Sequence, residues 1–235
     1  MNYGICFLAY GKEHINEFNA AADSLLRLNK DFKIFVATDN PDNIIKGVYS
    51  ITKIEESFNF NLKRVVIESA LKEVDSILFL DTDVYVNKDT NFSIIDTIIN
   101  NTNESTIYAA EVVDLDKLRD VYGSLDYMKD YLDILTPMID TPLLLVHEGI
   151  FVLKITNKIQ KNNFLNLWKE LDLQTRPYQK LAYNLLGAME GIIMYISLVK
   201  SNIKIELPID ENIKYLYSKI IHFGASGIKL NRTLI

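Results

Sequence analysis

The sequence predicts an α/β chain built on one mainly parallel sheet, and three observations carry that reading. Short, largely apolar runs at Ile5–Ala9, Phe32–Thr38 and Ile77–Leu80 have the length and composition of buried strands. Between them, Glu13–Leu28 and Leu62–Val74 carry apolar residues at helical spacing. Strands alternating with helices of that length imply βαβ units.

Each element follows in order. Ile5–Ala9 is the first strand, and Ile15, Phe18, Ala22, Leu25 and Leu26 mark one face of the first helix. Phe32–Thr38 is the second strand, closed by the turn signal Asp39-Asn-Pro-Asp. A weaker strand lies at Val48–Ile51, and Leu62–Val74 is the helix feeding Ile77–Leu80. Further on the pattern predicts a helix at Phe92–Ile99, a strand at Ile107–Val113 and a polar helical stretch at Leu115–Ile134. Leu143–Leu153 reads as one long strand interrupted at His147-Glu148-Gly149, which suggests a bulge or a close backbone approach to a ligand. Helices are expected at Asn163–Leu171 and Pro177–Val199, and strands at Ile203–Leu207 and up to His222. No repeat, low-complexity block or linker interrupts the chain, so residues 1–235 read as a single domain.

Composition narrows the function classes. The apolar share of 49% and charged share of 24% are those of a globular protein. A net charge of −6 argues against a surface that coats nucleic acid. No apolar run is long enough to span a membrane. No basic segment precedes the first strand, so no secretory signal is expected. One cysteine, Cys6, allows no internal disulfide and sits in a strand as a core residue. Together these point to a cytoplasmic protein.

The chemistry concentrates at Asp81-Thr82-Asp83. A buried strand running into two carboxylates delivers hard oxygen ligands to the carboxyl edge of the sheet, where ligands bind in open α/β folds. Such a pair suits a divalent cation that keeps positions open for phosphate oxygens. An Asp-rich turn is the competing reading of the triplet alone. His222 ends an apolar run and precedes Gly224 and Gly227. An imidazole is a common ligand for a metal such as manganese, and glycine-rich backbone can cradle phosphate. The plain alternative is a histidine closing a strand.

Lys63 and Arg64 open a helix, where cations are slightly unfavourable. They either face solvent or reach phosphates. Glu190 sits in an apolar stretch, and a carboxylate there needs a partner or a task. Glu148 poses the same question. Either could serve as nucleophile or stabilise an oxocarbenium-like transition state, or else form a structural ion pair. His14 is expected to face solvent.

These residues resemble those of nucleotide-sugar glycosyltransferases of the GT-A fold, and most of all the retaining family that includes glycogenin and bacterial lipopolysaccharide galactosyl- and glucosyltransferases. Asn61-Leu-Lys63-Arg64 through Asp81-Thr-Asp83 is similar to that family's Arg-bearing helix and leu-asp-thr-asp strand. Val146–Leu153 resembles its asn-ala-gly strand, with Gly149 matching. Glu190-Gly191 stands where the family has an asp-gln pair, and Ile221-His222-Phe-Gly224 resembles its his-x-x-gly motif. The terminal lys-pro-trp is missing, leaving Lys229 as its substitute.

The resemblance implies a single Rossmann-like sheet flanked by helices, with a nucleotide-binding part over about 1–113 and a sugar- and acceptor-binding part over about 114–235. It implies manganese or magnesium held by Asp81, Asp83 and His222. It implies a hexose moved, with retention, from a UDP-linked donor. Ala9, Tyr10 and Asp39 would hold base and ribose; Lys63, Arg64, Thr82, Gly224 and Lys229 complete the donor site, with Glu190 and Glu148 as catalytic carboxylates. The acceptor is open: a glycan, a lipid-linked sugar, a protein or modified nucleic acid. A haloacid-dehalogenase-type phosphatase using Asp81 and Asp83 is one alternative, and a non-catalytic sugar- or nucleotide-binding relative another.

Overall fold

A strand with no polar face needs cover on both sides, and Ser76–Leu80 is buried at every position. The structure, a computed structural model, describes residues 3–28, 31–86, 90–109, 112–114, 129–146, 149–179, 186–206 and 220–222. In chain order these give β1 (Gly4–Ala9), α1 (Gly11–Leu26), β2 (Lys33–Thr38), β3 (Ser50–Lys53), α2 (Lys63–Ala70), β4 (Ser76–Leu80), β5 (Val84–Val86) and α3 (Ser93–Asn101). There follow β6 (Thr106–Ala109), β7 (Val112–Asp114), α4 (Lys129–Leu135), β8 (Leu144–Val146), β9 (Ile150–Lys154), α5 (Lys158–Gln179), α6 (Leu186–Lys200), β10 (Lys204–Glu206) and β11 (Ile220–His222).

The main sheet has seven strands in the order β10-β6-β9-β4-β1-β2-β3. β1 lies parallel to β2 and β4, β2 to β3, and β6 to β10; β9 runs antiparallel to β4 and β6. This is the expected single, mainly parallel sheet flanked by helices. Alternate residues of each strand feed two cores. Ile77 and Phe79 pack with α2, α4, α5 and α6, while Leu78 and Leu80 pack with α1 and α3. Across β4 and β9, Phe79 faces Phe151 with the rings stacked 5.1 Å apart. Such a pair adds about 0.5–1.5 kcal/mol to what area burial supplies.

Three expectations need correction. Ile107–Val113 is not one strand: β6 stays in the main sheet and β7 joins β8 in a separate ladder. Leu143–Leu153 divides the same way into β8 and β9. The cause is shared, because β6 pairs with β9 and β7 with β8 while the chain from Val146 to Phe151 is longer than the facing stretch from Ala109 to Val112. One register cannot serve both pairs.

The third correction concerns Pro177, which was expected to open a helix and instead lies inside α5. The helix starts earlier than predicted because the Asn157 carboxamide accepts from the amides of Ile159 (2.8 Å) and Gln160 (3.3 Å). Pro177 deprives only the Leu173 carbonyl of a partner, and Leu173 is on an exposed face. The predicted helix at 115–134 is described only as α4; residues 115–128 lie outside the described residues. No helix among the described residues is long and apolar enough to cross a membrane.

β1 has β2 on one side and β4 on the other, so the chain order reverses at β1. A crevice opens at such a reversal, beyond the carboxyl ends of the strands. Ala9 ends β1 and Asp81 follows β4, which brings both to its rim.

Candidate functional site

Asp81 leaves β4 with its backbone fixed: its amide donates to the Gly149 carbonyl at 2.8 Å. Gly149 belongs to the segment entering β9, so the neighbouring strand sets the direction of the Asp-Thr-Asp turn. Asp83 precedes β5, and β5 pairs antiparallel with β11. In that pairing His222 stands opposite Val84, so the backbone puts His222 beside the turn. Its side chain lies outside what the structure describes. So do Glu148, Gly224 and Lys229.

Lys63, the first residue of α2, is the link between distant parts of the chain. Its Nζ is 3.2 Å from Asp81 Oδ1 and 3.4 Å from Glu190 Oε2. The same ammonium stands 5.2 Å from the centroid of the Phe79 ring, a cation–π arrangement. The Glu190 side chain is fully buried and that of Lys63 is 7% exposed. Two questions from the sequence are thereby answered. Lys63 does not face solvent, and it is a partner of the kind that a buried Glu190 requires. Arg64 turns the other way, donating from Nη1 to Glu68 Oε2 at 3.0 Å one helical turn on. That ion pair offsets the cost of a cation at the start of a helix.

Thr82 was expected to face the donor. Its side chain is buried, and the hydroxyl donates into α1, to Glu17 Oε2 at 3.2 Å. His14 Nδ1 lies 3.0 Å from the same oxygen and 3.3 Å from the Thr82 hydroxyl. His14 is exposed, as expected, yet it reaches the Asp81-Thr82-Asp83 turn. Nothing in the sequence links His14 and Glu17 to Thr82; only their spacing on one helix face was visible.

On the other side of the crevice, Ala9 is buried and in register with Thr38. Asp39 accepts from the Gly11 amide at 2.8 Å, supplying the cap that Tyr10 does not. Gly11 has φ +81°, which explains a glycine at this strand-to-helix turn. The Tyr10 hydroxyl donates to the Glu56 carbonyl at 3.2 Å, and its ring lies 5.3 Å from Phe58. Arg176 of α5 holds Asp172 and Glu56, each at 2.7 Å. Sequence reasoning missed this bridge because Glu56 lies far from α5 in sequence, although Asp172 and Arg176 are one helical turn apart.

Negative charge accumulates here. Glu190 and Asp172 both act on Tyr131, whose phenol is pushed well above its ordinary range, first by burial and then by these two carboxylates. Lys63 is the cation that Asp81 and Glu190 share. Hard carboxylate oxygens and an imidazole are donor types that manganese and magnesium accept. Among the described side chains, no group of three His, Cys, Asp or Glu residues converges closely enough to form a metal site.

No protein-family model matches the sequence, and no curated protein matches it. Solved structures do resemble the fold. The crystal structure of the glycosyltransferase GlyE of Streptococcus pneumoniae TIGR4 superposes with a TM-score of 0.51 at 12% identity, covering 97% of this chain and 56% of its own. Its apo form gives a TM-score of 0.49 at 15% identity over 86% of this chain and 44% of its own. The chain thus spans little more than half the length of the protein it matches. What it shares with GlyE is the architecture: a mixed α/β sheet of mostly parallel strands flanked by helices.

Proposed function

We propose that the chain is the donor-binding and catalytic domain of a glycosyltransferase that moves a hexose, with retention, from a nucleoside-diphosphate sugar to an acceptor. One observation carries the reading: Asp81-Thr-Asp83 follows a central strand at the sheet's switch point, with Lys63 bridging Asp81 to Glu190. The fold likeness to a protein described as a glycosyltransferase supports it. UDP is the proposed nucleotide, and glycan, lipid-linked sugar, protein and modified nucleic acid are the acceptor classes.

Manganese or magnesium, held by Asp81, Asp83 and His222, would neutralise the leaving diphosphate. Ala9 and Tyr10 line the nucleotide end of the crevice. Asp39 shapes that end by fixing the start of α1 through the Gly11 amide. Lys63 holds Asp81 and Glu190 in a fixed geometry and adds positive charge near the diphosphate. Glu190 is a buried carboxylate that Lys63 keeps oriented, suited to stabilising positive charge as it develops at the anomeric carbon. Glu148 is the second proposed carboxylate.

The test is a panel of UDP-, GDP- and ADP-sugars incubated with manganese and read by mass spectrometry, with the anomeric configuration of any product taken from NMR. Metal-dependent release of one nucleoside diphosphate, lost in Asp83→Asn, is the expected result. Hydrolysis of simple phosphate monoesters without sugar release would favour the phosphatase alternative. Nucleotide-sugar binding without turnover, across candidate acceptors, would favour a non-catalytic relative.

A further inference from the structure

We propose that Glu17 is a positioning residue, which sets the Asp81-Thr82-Asp83 turn for metal binding by holding the Thr82 hydroxyl. The inference rests on the function proposed above, but on a different part of the molecule.

Besides the Lys63–Asp81 pair, two hydrogen bonds tie the turn. Asp81 is tied through its amide to Gly149 on the β9 side. Thr82 is tied through its hydroxyl to Glu17 on α1, at 3.2 Å. Glu17 Oε2 also meets His14 Nδ1 at 3.0 Å, and the Thr82 and His14 atoms are 3.3 Å apart. A carboxylate has only lone pairs to offer, so the arrangement is satisfied when both the hydroxyl and the imidazole N–H donate to it. Glu17 is therefore the hub. Its side chain is 17% exposed while that of His14 is 54% exposed, so His14 orients Glu17 from the solvent side.

Thr82 separates the two carboxylates by one residue. Its hydroxyl is directed into α1, away from the crevice, and so serves the backbone that carries Asp81 and Asp83. A free turn would sample many orientations of the two carboxylates, and the metal would have to order them on binding. Partners that pre-orient ligands typically change metal affinity by about 10–100-fold. Glu17 acts through backbone, so the low end is expected.

Manganese binding, followed by loss of the free-ion EPR signal with and without UDP, provides the test. Glu17→Ala and Thr82→Val should each weaken manganese binding about 10-fold. The double variant should be no weaker than the weaker single variant, because both break the Thr82–Glu17 hydrogen bond. Thr82→Ser, which keeps the hydroxyl, should bind like wild type. Melting temperatures measured in parallel separate positioning from stability. Unchanged manganese affinity in both single variants, or losses that add in the double variant, would overturn the proposal. So would a lowered melting temperature with manganese binding intact. Wild-type protein that binds no manganese under either condition overturns the metal reading itself, and this inference with it.

Discussion

The ammonium of Lys63 stands 3.2 Å from the carboxylate of Asp81, with Glu190 3.4 Å away on its other side. One buried cation thus ties the start of α2, the end of β4 and α6 together. That makes it a joint in the fold as well as part of the site, and the two roles can be measured separately.

Removing one partner of a buried ion pair leaves the other charge without compensation, at a cost of about 3–5 kcal/mol. Lys63→Met should therefore lower the unfolding free energy obtained from urea titration by an amount of that order. Adding Glu190→Gln should recover much of the loss, since the stranded carboxylate is then neutral. A single Lys63→Met variant as stable as the parent would show that Glu190 is held by something else.

Asp83 lies half-buried in the turn between β4 and β5. Asp83→Asn should remove manganese-dependent donor turnover while leaving circular dichroism and melting temperature close to the parent's. Full turnover in this variant would rule the turn out as the metal site.

Glu190→Gln keeps the shape of the side chain and removes its charge. If that charge acts mainly in the transition state, kcat should fall by ~10²-fold with little change in donor affinity. Isothermal titration with UDP beside steady-state rates separates the two. An unchanged kcat would assign Glu190 a structural role and move attention to Glu148.

Asn61 accepts from the indole N–H of Trp168 at 2.8 Å, and both residues are buried. This bond pins α5 against the start of α2, close to Lys63. Asn61→Ala leaves the indole N–H unsatisfied and should cost about 1–3 kcal/mol. Trp168 is the only tryptophan in the chain, so its emission reports this contact directly. An unaltered spectrum and unfolding midpoint would mean the bond contributes nothing.

The sequence by itself determined the elements from β1 to β4 and the position of the carboxylates. Ile77–Leu80 is legible because a strand covered on both faces must be apolar throughout, and Asp81 marks where that cover ends. The helix over residues 11–26 is equally plain, because Ile15, Phe18, Ala22 and Leu25 repeat at helical spacing. Cys6 is core for the same reason; burial raises its thiol well above the ordinary range. Tertiary structure decided which residues meet. The pairing of Lys63 with Asp81 and Glu190, and of Thr82 with Glu17, joins separate elements, and local periodicity carries no information about such contacts. That the parts of Ile107–Val113 and of Leu143–Leu153 belong to two sheets was hidden likewise, although His147-Glu148-Gly149 marked the place where the second run breaks. His222 comes beside Val84 through a long-range strand pairing, and that register was set by the β5 strand it joins, not by its own neighbours in sequence.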